Sequence, residues 1–500
     1  MNENFSILNL YELTTEPDDI PAFYQDLNLV QIMDRVSAKW GRGVRKFYRR
    51  PAVSSEEEEY RRTIYRDIKK QSVYDALIAF TDNLKTAHIL REEKEKATYP
   101  EQKQVWHIRE MVSYCDAYEK LEKDLSEAEL SSDGMQELLK IIREVLDTEY
   151  RNLQKKAGAI FEEIRKLRFI LTYDKDRISI TLGTLPGEGA YEEMMKEKSG
   201  REIKHFHNPF AGEARLLELE YQCIEMIQKK TPELFAKIRA VSTENKDYEK
   251  TVLVRFEEEM IFYLSYCTLQ REMENEGYAF CTPVRSEDGL MEAEGLFDLA
   301  LAIANLNTDK EIISNDFRYD KGERFYVLTG PNQGGKTTFA RSLGQLVYFT
   351  KMGLDVPAKS AIVPYFPDLQ THFSVEESVE TGFGKLKEEL TRLAPMMYEN
   401  KRGTFVVINE LFTTAASYDA LIMGKRVLKH FVELGCMGIY VTHLKELADK
   451  QEGIVSLRAM LDENRVQTFE IRRGEAEDTP CAENLVNKHQ LTYAQLKERL

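Results

Sequence analysis

Along the first 300 residues, apolar side chains recur at helical spacing inside strongly charged sequence. Between Arg61 and Glu95 the residues Ile64, Ile68, Val73, Leu77 and Ile78 follow that period. Two more long charged helices are predicted, from about Lys103 to Leu130 and from about Met135 to Leu171, parted by the turn Ser131-Ser132-Asp133-Gly134. Their charge points to levers or coiled arms with wide solvent exposure. At Arg177-Ile178-Ser179-Ile180-Thr181-Leu182 the period shortens to two, as a strand requires. The Gly/Pro-bearing stretch Gly183 to Gly189 follows, and Tyr191 to about Asn208 reads as irregular and polar. Helical patterns resume from about Glu213 to Val241 and from Tyr248 to Glu276.

Near residue 310 the pattern changes again. Phe325 to Thr329, Thr404 to Ile408 and Gly438 to Thr442 are short apolar strands separated by helical segments. Buried strands alternating with helices predict a mostly parallel sheet covered on both faces. The expected fold is therefore multidomain, with a helical region over 1–300 and an α/β domain over 301–500.

The turn after the first of these strands carries the chemistry. Gly330-Pro331-Asn332-Gln333-Gly334-Gly335-Lys336-Thr337 has the spacing of a phosphate-binding loop, with a strand before it and a helix from Thr338 after it. Its glycines let backbone N–H groups turn toward phosphate oxygens, and the helix N-terminus adds partial positive charge. Lys336 is placed to neutralise the β- and γ-phosphates and Thr337 to ligate Mg²⁺. Asn409-Glu410 closes the Thr404 to Ile408 strand where an acidic pair is expected, and His443 ends the Gly438 to Thr442 strand. Asn409 accepts a hydrogen bond from metal-bound water but lacks the charge that strengthens it. Glu410 is the candidate for orienting water and His443 for sensing the γ-phosphate; a strand-capping acid and a structural histidine are the competing readings.

Composition narrows the partners. With 42% hydrophobic and 31% charged residues, and no uncharged apolar run of membrane-spanning length, the 500-residue chain reads as soluble and cytoplasmic. Its six cysteines, Cys115, Cys223, Cys267, Cys281, Cys436 and Cys481, have no metal-binding spacing. A net charge of −16 argues against polyanion binding except at a local basic surface. One such surface runs from Arg35 to Arg50, where Arg35, Lys39, Arg42, Arg45, Lys46, Arg49 and Arg50 alternate with Trp40, Phe47 and Tyr48. It reads either as a nucleic-acid contact or as a solvated face answered by the acidic run Glu56 to Glu59.

Thr329 to Thr338, TGPNQGGKTT, resembles the TGPNMGGKST of the MutS family of mismatch-repair ATPases, a branch of the ABC type. Ser314-Asn315-Asp316, Val356-Pro357-Ala358, Tyr418-Asp419 and Thr442-His443-Leu444-Lys445-Glu446-Leu447 resemble further family motifs in the same order. The resemblance implies ATP and Mg²⁺ as cofactors, a homodimer with composite nucleotide sites, and a helical core, levers and clamp that close on DNA in repair or recombination. It also implies that Thr338 joins the nucleotide contacts. Ile312, with Ile313 beside it, stands where the family packs an aromatic on adenine, and the tail from Ala482 to Leu500 is similar to its dimer-supporting element.

The departures concern catalysis. The family's metal-holding Asp is Asn409, and its signature loop aligns with Gly382 to Leu390, which puts Gly384 in place of the Ser that reaches the partner's γ-phosphate and Lys385 beside it. The glycine-rich segment after the acidic pair is Phe412 to Ser417. The first 100 residues lack the Phe-x-Glu wedge of mismatch readers, while Phe161-Glu162-Glu163 and Phe256-Glu257-Glu258 read as helix packing. The expectation is thus a core-plus-ATPase protein without the mismatch wedge or a nuclease-like extension, with weak hydrolysis. A nucleotide-gated binding module and a protein-partner scaffold with no DNA role are the alternatives.

Overall fold

The structure is a computed structural model and describes residues 3–10, 20–174, 177–183, 218–306, 308, 310–374, 384–463, 466–475 and 497. It divides into two compact units, one of Met1–Phe5 with Asp67–Glu257 and one of Ser6–Arg66 with Glu258–Leu500.

The first unit is helical, and several of its boundaries differ from the sequence expectation. The pattern from Arg61 to Glu95 resolves into the helix Ser55–Ile68, nearly all of which belongs to the second unit, and the helix Gln71–Lys96 of the first. Pro100 opens the helix Pro100–Glu127 at a position where its missing N–H costs nothing. Ser132 caps the next helix, Asp133–Val145, by accepting the Met135 N–H. A single π turn, Leu146–Tyr150, leads into Arg151–Lys166. The helix expected to reach Leu171 stops there, and Phe169–Asp174 is a strand (β1) in antiparallel register with Arg177–Leu182 (β2). Pairing with β2 overrides the helical period. Pro232 splits the expected helix from Glu213 into Glu218–Lys230 and Pro232–Glu244.

The charged helices are also less exposed than expected. Glu110, almost fully buried, accepts Arg91 Nε at 2.7 Å, Lys94 Nζ at 2.6 Å and the Tyr248 hydroxyl at 2.9 Å. Phe256 is buried against Phe80, as its packing role requires.

The second unit holds two sheets. The smaller orders β3 (Val284–Ser286), β7 (Ser360–Pro364), β4 (Met291–Leu296) and β5 (Asn315–Tyr319). The larger orders β12 (Gln467–Arg473), β11 (Ile454–Leu461), β6 (Phe325–Thr329), β10 (Met437–Val441), β9 (Phe405–Asn409) and β8 (Leu369–Phe373). All neighbours in the larger sheet are parallel except the β11–β12 hairpin. The three strands foreseen in the sequence are thus its centre, and every residue of β6, β9 and β10 is buried. Phe325, Val327, Val406 and Ile408 pack with Val427, Leu428 and Phe431 of the helix Ser417–Glu433. β9 and β10 lie so close at Gly438 that a Cβ there would stand 1.9 Å from the Val406 oxygen.

The helix Lys336–Lys351 lies against β9 and β10 and is buried nearly all round. Its polar side chains must therefore find partners inside the protein. The Gln345 amide donates to Leu27 O at 3.0 Å and Asp298 Oδ1 at 2.7 Å and accepts the Leu299 N–H at 2.8 Å. Asp298 also caps the helix Leu299–Asn305. Gln345→Leu strands these buried groups, and we expect it to destabilise the second unit by about 3 kcal/mol, read as a lowered thermal unfolding midpoint.

Candidate functional site

The loop between β6 and the Lys336–Lys351 helix adopts backbone shapes that its glycines permit. Gly330 and Gly335 have φ of 136° and 84°. A Cβ at Gly330 would lie 3.0 Å from the Ala459 Cβ, so β11 closes on that position. Gln333 accepts φ of 62° without being glycine. The buried Lys336 reaches back over the loop, and its Nζ donates to Gly330 O at 3.0 Å and Pro331 O at 2.8 Å. Asn332 and Gln333 are exposed, Gly335, Thr337 and Thr338 half-buried, and Pro331 and Gly334 buried.

Adjacent strand ends deliver the remaining groups. The Thr337 hydroxyl donates to Asn409 Oδ1 at 3.1 Å, which joins the first turn of the helix to the end of β9. The next residue, Glu410, has φ of 56° and is pinned by its N–H on Val441 O at 3.0 Å. That places Glu410 Oε1 3.0 Å from Nε2 of His443, two residues beyond β10. Sequence expectation therefore names groups that the fold does bring together: Lys336, Thr337, Asn409, Glu410 and His443.

Other expected residues stand differently. Ile312 is half-buried and Ile313 exposed, on the segment leading into β5. Asn315 in β5 donates to Phe469 O at 3.2 Å and accepts the Ile471 N–H at 2.7 Å. Phe469 itself is missing from the sequence expectation. It is 46% exposed, sits at φ of 59° in the β11–β12 hairpin, and lies 3.5 Å from where a Cβ on Gly335 would stand. More than 130 residues and an irregular hairpin separate it from the loop, so local spacing gives no signal. Gly384 caps the helix Lys385–Tyr398 and is exposed, with open space about it among the described residues. Gly382 and Phe383, and the tail from Ala482 apart from residue 497, lie outside the described residues.

The basic segment is answered by other partners than the acidic run. Arg35 pairs with Glu272, Arg45 with Asp34 and Lys46 with Glu258. Arg61 NH1 donates to Arg50 O, Phe47 and Tyr48 are buried, and Arg49 is half-buried. Arg42 is exposed. Glu57, Glu58 and Glu59 instead pair with Arg61 and Arg62 of their own helix.

Two oxygens here are candidates to meet a cation accompanying bound phosphates, the Thr337 hydroxyl and the Asn409 amide, which lie 3.1 Å apart. Both are neutral, and the neighbouring Glu410 is engaged by His443. This donor set does not fit a tight Mg²⁺ site, which is built around carboxylates. Among the described residues no three His, Cys, Asp or Glu gather to hold a metal, and no helix is long and apolar enough to cross a membrane.

A parallel sheet, a glycine-shaped loop opening a buried helix and a lysine folded over that loop define the class of phosphate-binding-loop domains. Residues 326–477 match the model of MutS domain V. The chain is 26% identical over 228 residues to the DNA mismatch repair protein MutS of Thermotoga maritima, which is 46% of this chain and 27% of that protein. Against MutS of Pseudothermotoga lettingae it is 27% identical over 165 residues, 32% of this chain and 20% of that one. The chain is thus similar to MutS proteins over 32 to 46% of its own length and only 20 to 27% of theirs.

His443 comes first among the causes that hold the Glu410 carboxyl below the usual carboxylate range, with Lys336 adding to it against the effect of burial. Because the folded value is the lower one, the pair is intact above the usual carboxylate range and is lost as pH falls through the lowered value. His443→Ala is expected to move the Glu410 titration, followed by NMR, back upward.

Proposed function

We propose that this chain is a MutS-type ATP-binding protein with weak hydrolysis, whose nucleotide state opens and closes a clamp on DNA in repair or recombination. The observation that carries the reading is Lys336, seated on the carbonyls of Gly330 and Pro331 at the mouth of the loop. When phosphates enter, the ammonium exchanges these carbonyls for phosphate oxygens. The loop's backbone N–H groups, apart from Pro331, which has none, and Gly334, which donates to Pro331 O at 3.3 Å, supply with the helix N-terminus the rest of the anion site. Phe469, with Ile312 and Ile313 on the facing segment, offers the apolar clasp for a base.

For turnover, water attacks the γ-phosphorus in line and the bond to the β-bridging oxygen breaks. Glu410 accepts a hydrogen bond from that water, and His443 both orients Glu410 and faces the γ-phosphate. ATP accompanied by Mg²⁺ brings a cation that neutralises phosphate charge, while Thr337 and Asn409 offer it neutral oxygens only. In this reading residues 1–300 form the core, levers and clamp, and 301–500 the ABC-type ATPase domain of a homodimer with composite sites. The neutral Asn409 and the bare Gly384 favour a second form of the same reading, a nucleotide-gated binding module with little turnover.

ATP binding by calorimetry tests the first part. Lys336→Ala is expected to weaken it roughly thirty- to hundredfold, and unchanged affinity would sink the assignment. Any measured turnover should fall by about a hundredfold in Glu410→Gln.

DNA binding has a separate test. In gel shifts on branched and plain duplexes, Arg42→Ala with Arg49→Ala should lower the salt slope of log K by about two. Loss of binding without a change in slope argues against this segment as the footprint, and no binding to any duplex favours the protein-scaffold alternative.

A further inference from the structure

Asn409 ends β9 and is nearly buried, flanked by Phe373 of β8 and Val441 of β10. Its Oδ1 takes the Thr337 hydroxyl at 3.1 Å, which fixes the amide at the opening of the phosphate loop. A carboxylate in this place would act twice. It would hold the water shell of a Mg²⁺ ion, and it would repel the metal-free polyphosphate, which carries more negative charge than its magnesium complex. The carboxamide does neither. Its Nδ2 is a donor, which a carboxylate lacks, so it favours the bare phosphate oxygens that Asp would reject. Glu410 carries a charge of its own, but its Oε1 is engaged by His443 Nε2 at 3.0 Å, and it does not stand in for a carboxylate bonded to Thr337.

We infer that this site binds ATP with little regard to Mg²⁺, and that Asn409 is the residue that sets this indifference. The inference rests on the nucleotide-binding reading above and adds a property to it. Binding is reciprocal, so an affinity for ATP that ignores Mg²⁺ means that bound ATP holds Mg²⁺ no more tightly than free ATP does. A protein of this kind keeps its nucleotide when divalent cation is scarce.

The test is calorimetric titration of ATP into the full chain, in excess Mg²⁺ and in excess EDTA at equal ionic strength. The two dissociation constants are expected to agree within about threefold. In Asn409→Asp they should separate by about tenfold or more, chiefly through loss of affinity for the metal-free nucleotide. A wild-type chain that loses tenfold or more in EDTA overturns the inference, as does an Asn409→Asp protein whose two constants stay together. If the variant is unfolded by circular dichroism, the wild-type ratio alone decides. If ATP binds in neither solution, the nucleotide reading itself fails and this one with it. Lys336→Ala, titrated in parallel, separates binding at the loop from adventitious heat.

Discussion

The helix that begins at Lys336 is buried almost from end to end, and much of the second unit is arranged around satisfying it. An amphipathic surface helix would leave its polar side chains to water. Here Gln345 must be bonded by Leu27, Asp298 and Leu299, and the Tyr348 hydroxyl donates to Tyr48 O at 2.7 Å. Lys351 ends the helix with Nζ on Phe366 O at 2.6 Å, and burial pushes its ammonium down to about 8. Segments far apart in the chain, around Leu27, Tyr48, Asp298 and Phe366, are thus tied to one rod. The near end of the rod is the phosphate loop, so its position depends on the whole unit. Even Gly344 is required by this packing, because a Cβ there would stand 2.4 Å from Leu27 Cδ2.

Backbone strain collects at the other side of the same loop. Of the five non-glycine residues with positive φ among the described residues, Gln333, Glu410, Phe412 and Phe469 belong to the loop, the turn after β9 and the hairpin over Gly335. Each such residue costs on the order of 1 kcal/mol relative to an ordinary conformation. Glycine would remove that cost at Glu410, yet the position carries an acid bonded to His443. The strain therefore aims the carboxylate, whose bond to His443 is the same interaction that lowers its titration.

The loop was legible in the sequence because its requirements are local. Glycines at fixed offsets, one lysine and a strand before it define backbone shape and charge within eight residues. The three central strands were legible for a similar reason, since full burial on both faces makes them continuous apolar runs. What was not legible depends on pairing across long separations. Leu171 continues a helical period, but register with β2 makes it a strand. Phe469 is unremarkable in sequence and acquires its place only through the hairpin and Asn315. Nor does spacing show which acids the basic run from Arg35 to Arg50 meets: Arg35 pairs with Glu272, Arg45 with Asp34 and Lys46 with Glu258. Charge in sequence is a count, whereas charge on a surface is what remains after pairing.

At the proposed nucleotide site, holding a nucleotide and cleaving it ask for different charges. Everything needed to hold phosphates is a donor or a cation: the turned N–H groups, the helix N-terminus, Lys336 and the Asn409 carboxamide. Cleavage asks in addition for negative charge, which steadies a metal or draws a proton from water, and in the proposed site one carboxylate supplies it. That carboxylate, Glu410, already spends an oxygen on His443. Removing the second negative charge lessens repulsion toward the polyphosphate at the same time as it weakens the grip on Mg²⁺. The substitution at 409 is then more than an eroded motif. Under the proposed nucleotide reading, one neutral side chain would shift the site toward retention of nucleotide, because repulsion of the ground state and support of the reaction both come from a carboxylate in that place.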